Sequence, residues 1–146
     1  GYVHDEAAAF VGGVSGNAGL FSTTHDLAVI FQMLLDRGIC GDRRYLSRAT
    51  CDLFMGMKAK SSRRGLGFDK PDIESDDNSP CAPEAPASVF GHTGFTGTCV
   101  WVDPDNELVF VFLSNRTYPV AFGHDNLMKL DIRSRIQQAM YQSIMY

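Results

Sequence analysis

The stretch Phe90-Gly91-His92-Thr93-Gly94-Phe95-Thr96-Gly97 sets an imidazole, two hydroxyls and three glycines within eight residues, and an apolar-alternating run follows it. Glycine inside a strand-like pattern marks a bulge, a kink or a place where a ligand approaches the backbone. His92 can present a cation or a donor to a cleft at a strand end. Gly94 leaves the backbone open for a substrate carbonyl or amide to align against it, and the Phe95 N–H can form half of an oxyanion hole. That is the equipment of acyl transfer. The same residues also suit a plain hairpin carrying a surface imidazole, and composition alone does not separate the two.

Other groups compete for a chemical role. His4-Asp5, His25-Asp26 and His124-Asp125 are His-Asp pairs of a kind that ligates metals in phosphohydrolases. Asp26 and Asp125 already fit helix starts, and adjacent helical residues do not face the same way, so no metal or other cofactor is expected. The glycine-dense loop Gly12 to Gly19 fits neither phosphate-binding pattern and is read as tight backbone packing. Cys40, Cys51, Cys81 and Cys99 make no C-x-x-C pair, and Cys99 falls on the apolar face of its strand as a small buried hydrophobe. Lys58, Lys60, Arg63 and Arg64 read as a solvated loop face.

The elements that must position these residues follow from periodicity. Glu6 to Val11 allows one or two helical turns. Thr23-x-x-Asp26 resembles a capping box, Leu27, Ile30, Phe31, Leu34 and Leu35 recur at helical spacing, and Gly38 ends that helix. A shorter helix starts at Ser47 and carries Ala49, Leu53 and Phe54. Arg64 to Asp69 suits a short strand, and Lys70 to Ser88, rich in proline and acids, suits an exposed excursion. Three strands are expected at Ser88–Gly94, Gly97–Asp103 and Glu107–Ser114, the last central and covered on both faces because Leu108 to Leu113 is continuously apolar. A last helix, capped by Asp125 or Asn126, would bury Leu127, Leu130, Ile136, Met140 and Ile144.

Gly91-His92-Thr93-Gly94, the strands after it and Ser114-Asn115-Arg116-x-Tyr118-Pro119 resemble the third active-site box and closing strands of serine β-lactamases and penicillin-recognising DD-peptidases. Ala18-Gly19-Leu20-Phe21-Ser22-Thr23-x-x-Asp26-Leu27-Ala28 is similar to a segment of the class C-like branch, and Val3-His4-Asp5 and Arg64-Gly65-Leu66-Gly67-Phe68-Asp69 look like members of that branch. The resemblance implies an α+β fold in which an antiparallel sheet of C-terminal strands is flanked by helices. It implies that His92 supplies the electrostatic or proton-donating role, Thr93 binds a substrate carboxylate or carbonyl, Gly94 gives access and Phe95 N–H polarises the scissile carbonyl.

The family's Ser-x-x-Lys nucleophile motif and its Tyr-x-Asn box are absent from these residues. Residues 1–146 therefore correspond to the C-terminal part of a serine hydrolase domain of about twice this length, in keeping with ordinary domain sizes. Histidine in place of lysine makes an esterase or D-amino-acid peptidase at least as apt as a β-lactamase, since imidazole is mostly neutral near pH 7. Alone, the chain is expected to be inactive; the alternative is a non-catalytic module that binds a peptidoglycan-like ligand.

The expected partners are a small-molecule or peptidoglycan-peptide substrate, the N-terminal half of the same domain, and a second copy through an open edge at residues 108–113. A net charge of −4 argues against nucleic acid. No apolar run approaches the ~20 residues that span a bilayer. Gly1 to Asp5 does not read as a signal peptide. A periplasmic or cell-envelope location is what the resemblance implies.

Overall fold

The computed structural model describes residues 1–56, 58–60, 62–73, 79–120, 122–123 and 125–144. Helix α1 (Glu6–Phe10) starts where Asp5 Oδ1 accepts the Ala8 N–H at 2.7 Å. Helix α2 (Thr24–Leu35) starts at Thr23, whose hydroxyl accepts the Asp26 N–H at 3.1 Å and donates to the Asp26 carboxylate at 2.9 Å. Each oxygen satisfies a donor that the first helical turn leaves without an intrahelical acceptor. At the far end of α2, Arg37 and Gly38 take positive φ (53° and 88°), and the Gly38 N–H returns to Met33 O at 2.8 Å. A small hairpin of β1 (Ile39–Cys40) and β2 (Arg43–Arg44) leads to α3 (Arg48–Gly56), capped by Ser47 Oγ on the Thr50 N–H.

The main sheet is antiparallel, in the order β3 (Phe90–Thr93), β4 (Cys99–Asp103), β5 (Leu108–Phe112). Its register sets Phe90 against Val102 and Val102 against Val109, and Gly91 against Trp101 and Trp101 against Phe110. Because side chains alternate between faces, these rows define two cores. One face buries Phe90 and Val102 with Cys51 and Met55 of α3, and Phe31, Leu34 and Leu35 of α2 pack against them. The other buries Cys99, Trp101 and Phe110 with Val89, Cys81, Ala82, Ala85 and Tyr141. Helices thus cover both sides of the sheet, the α+β arrangement expected.

The continuously apolar third strand is not the central one among the described residues. Its residues are half-buried apart from Phe110, whereas all five residues of β4 are buried and β5 forms the sheet's edge. Hydropathy alone registers that both faces of β5 meet apolar neighbours, but not which strand lies in the middle. Arg64–Asp69 is likewise no strand; only Asp69 pairs, in a single antiparallel bridge to Gly91.

The C-terminal helix is broken. Helix α4 (Asn126–Lys129) ends at Leu130, Asp131 turns with φ 45°, and α5 (Ile132–Ile144) follows. Its buried residues are Ser134, Gln137 and Tyr141, while Leu130, Ile136 and Ile144 are exposed and Met140 packs at the margin. The polar residues bury because each tip has a partner: Tyr141 OH donates to Asp103 Oδ2 at 2.7 Å, the Ala82 N–H donates to Gln137 Oε1 at 2.9 Å, and Ser134 Oγ donates to Asp131 at 2.9 Å. On α3, Leu53 and Phe54 are exposed and Cys51 and Met55 are buried. The excursion after Lys70 is also not simply exposed, since Cys81, Ala82 and Ala85 enter the core; residues 74–78 lie outside the described part.

A candidate active-site wall

Strand β3 lies at the opposite edge of the sheet from β5. Asp69 and Gly91 exchange both backbone hydrogen bonds (2.7 and 3.1 Å) on its outer side. In an antiparallel ladder alternate residues point their backbone groups the same way. The Thr93 N–H and C=O therefore also face outward, one step beyond the stretch that Asp69 covers. Gly94 turns inward, its N–H donating to Thr98 O at 2.7 Å. The Phe95 N–H donates to no group among the described residues.

Three contacts fix the residue that carries this amide. The Phe95 ring stacks on the His4 imidazole, with centroids 5.4 Å apart and planes 15° apart. The Arg116 guanidinium lies 4.5 Å from the Phe95 ring centre, and its Nε donates to Phe95 O at 2.7 Å. His4 thereby brings the first residues of the chain to the loop after the box, a role that its His-Asp pairing did not reveal. Asp5 is occupied as the α1 cap, and the hydrogen bonds from Ala8 and Asn17 hold its carboxyl below the usual range. His124 lies outside the described residues.

His92 and Thr93 do not point the same way. His92 pairs with Val100 and shares the face of Phe90, whereas Thr93 pairs with Cys99 on the opposite face. The two are joined through the backbone, with His92 Nδ1 lying 2.6 Å from Thr93 O. His92 is exposed, and Thr93 is half-buried with no partner for its hydroxyl among the described residues. Thr98 Oγ1 sits 2.3 Å from where a Cβ on Gly94 would be, so the glycine also admits its own hairpin partner.

The loop before β3 adds a residue that sequence reasoning missed. Arg64 Nη1 contacts His92 Nε2, and its Nη2 lies 3.7 Å from Asp69 Oδ2. Asp69 is 1% exposed and holds Arg63 in a forked pair (2.8 and 3.2 Å), while its Oδ1 also accepts the Lys70 N–H at 3.0 Å. Half of the basic cluster thus converges on a buried carboxylate and the box histidine instead of forming a solvated face. The available signal was the Arg-Arg-Gly-x-Gly-Phe-Asp order, in which a tight turn, closed by Gly65 N–H to Phe68 O at 2.8 Å, folds the arginines back toward the aspartate. Lys70 is buried too, its Nζ donating to Met55 O at 2.7 Å at the end of α3, and burial pulls its pKa below the ordinary lysine value. Among the described residues no three His, Cys, Asp or Glu side chains group as a metal site.

The sequence and the fold both have counterparts among known proteins. The family model described as Beta-lactamase matches residues 1–132. A protein of Escherichia coli O157:H7 named "Putative D-alanyl-D-alanine carboxypeptidase" is 40% identical over 132 residues, covering 86% of this chain and 29% of that protein. A Salmonella gallinarum protein of the same name is 40% identical over 127 residues, covering 83% of this chain and 28% of its own length. The chain therefore spans under a third of the curated relatives it matches. A crystal structure of a beta-lactamase from Mycobacterium bovis superposes with a TM-score of 0.64 at 24% identity, over 86% of this chain and 46% of that one, a likeness of fold. With sequence match and fold in agreement over most of its length, this chain belongs to the beta-lactamase family.

Proposed function

We propose that residues 1–146 are the C-terminal part of a β-lactamase-like serine hydrolase domain and form one wall of its acyl-transfer cleft. The observation that carries this reading is the Phe95 N–H, without an acceptor among the described residues and two residues beyond the end of β3, on a residue whose carbonyl Arg116 holds. In this reading the Phe95 amide polarises the scissile carbonyl. Such a preorganised donor stabilises charge that develops only in the transition state, and removing one typically costs ~10²–10³ in rate. Thr93 offers its hydroxyl to a substrate carboxylate or carbonyl, Gly94 gives the substrate backbone room to approach, and His92 supplies the box's electrostatic or proton-donating role.

The names of the relatives favour peptides ending in D-alanyl-D-alanine as the substrate class, with a cell-envelope location. A serine supplied by a further part of the domain would attack the carbonyl, because no Ser-x-x-Lys occurs in these residues. That further part has surface to cover here: Phe10, Val14, Leu20 and Phe21 are exposed, and the outer edge of β5 has no strand partner among the described residues. In its absence the same edge would pair with a second copy.

The test is direct. The purified chain is expected not to hydrolyse nitrocefin or p-nitrophenyl esters, because binding and partial oxyanion stabilisation without a nucleophile leave little turnover. Saturable hydrolysis that His92→Ala abolishes would overturn this reading.

A further inference from the structure

We propose that Arg64 is a positioning residue that, anchored near Asp69, locks the His92 imidazole in the tautomer protonated on Nδ1. A guanidinium has only donors to offer, so where Arg64 Nη1 meets His92 Nε2 the ring nitrogen accepts through its lone pair. A carbonyl oxygen can only accept, so the 2.6 Å approach of His92 Nδ1 to Thr93 O places the ring proton on Nδ1. The two contacts demand the same tautomer. An Nε2–H ring would set two donors against each other at Arg64 and a lone pair against a lone pair at Thr93.

The loop is built to hold this arrangement. Asp69 is buried, is fixed through its backbone to Gly91 next to His92, and draws Arg64 Nη2 to 3.7 Å. Ser62 Oγ accepts the Arg64 N–H at 3.1 Å, and Arg64 O accepts the Ala59 N–H at 2.8 Å. Arg63 pairs with both oxygens of the same carboxylate without touching His92. Fixed positive charge at this wall therefore resides on the guanidinium. His92 reaches a ligand with a donor at Nε2 only after Arg64 has moved away, for instance toward an anionic group. The inference concerns the ring itself and stands apart from whether the cleft performs acyl transfer.

Long-range ¹H–¹⁵N spectra of the chain at about pH 8, above the ordinary imidazole range, report the tautomer of each histidine, and His92→Gln identifies the relevant signals. The His92 ring is expected to show a protonated Nδ1 and an unprotonated Nε2. Arg64→Ala is expected to shift it toward the Nε2–H form that free imidazole side chains favour. Arg63→Ala, which disturbs the same carboxylate without touching the ring, leaves the pattern unchanged, and Arg64→Lys, which keeps a donor, retains it at least in part. An Nε2–H ring in the parent chain, or an unaltered pattern in Arg64→Ala, would overturn the proposal.

Discussion

A Cβ added to Gly91 would lie 2.0 Å from the Val100 carbonyl oxygen and 2.7 Å from Trp101 Cε3, inside the closest approach that real side chains make. Both neighbours belong to the buried centre of the sheet and have nowhere to move. Gly91 therefore sets how tightly β3, and with it His92 and Thr93, is held against β4. Gly41 isolates a different effect: its φ is 57°, but nothing lies within 4 Å of its would-be Cβ. Gly41→Ala is expected to cost about 1 kcal/mol, the backbone preference alone. Gly91→Ala should cost about 3 kcal/mol or more through overpacking. Urea denaturation of both variants distinguishes the two effects, and equal losses would mean that the strands are not packed as closely as described. In the loop Gly12 to Gly19 the expected tight packing holds at Gly19, where a Cβ would sit 2.2 Å from Gly13 O, but not at Gly12 or Gly16, where a Cβ would meet nothing within 4 Å.

Among the elements, α5 is tied to the sheet through a buried carboxylate. Asp103, 2% exposed, ends β4 and accepts the N–H groups of Asp105 and Asn106, the Asn106 side-chain amide and the Tyr141 hydroxyl. The same carboxylate thus shapes the β4–β5 turn and docks the helix. Burial, followed by donation to Asp103, raises the Tyr141 pKa well above its ordinary value of 10.0. A folded-state pKa above the unfolded one contributes stability that is fully present below about pH 10 and declines as pH rises beyond it. Burial also raises the thiols of Cys81 and Cys99 above 9.0, Cys99 to about 11, so the parent begins to lose stability before tyrosine contributes. Tyr141→Phe is expected to cost about 2 kcal/mol at neutral pH, a hydrogen bond to a charged acceptor, and to flatten the decline above pH 10 relative to the parent. Denaturation midpoints measured across alkaline pH check this, and identical slopes in the two proteins would refute it.

For the molecule as a whole, the decisive feature is a sheet with two open sides. The outer side of β3 is covered only as far as Asp69, and the outer side of β5 has no strand partner among the described residues. Alternation along the ladder directs the Val109 and Val111 backbone groups outward from β5. An apolar edge of this kind pairs readily with another chain. Light scattering over a tenfold concentration range is expected to show an apparent mass that rises with concentration. Val111→Pro removes an outward N–H without breaking a β4–β5 bond, and should suppress that rise. A parent chain of monomer mass throughout the range would sink the idea.

The sequence by itself determined the order of the pieces and much of the local structure, though neither the break at Asp131 nor the absence of a strand at Arg64–Asp69. Thr23 and Asp26 predict the start of α2, the apolar runs Gly97–Asp103 and Glu107–Ser114 predict β4 and β5, and the box with its following strands was legible as a family signature. These are decided within a few residues of chain, by caps, turns and periodicity. Only the tertiary structure decided that β4 rather than β5 is central and that α5 buries Ser134, Gln137 and Tyr141 in place of Ile136 and Ile144. It also decided that Arg64 reaches His92 across 28 positions and that His4 stacks on Phe95. A polar side chain is buried when a distant partner satisfies it, and a charged one becomes part of a site when the fold brings it there. Neither condition leaves a periodic trace in the chain.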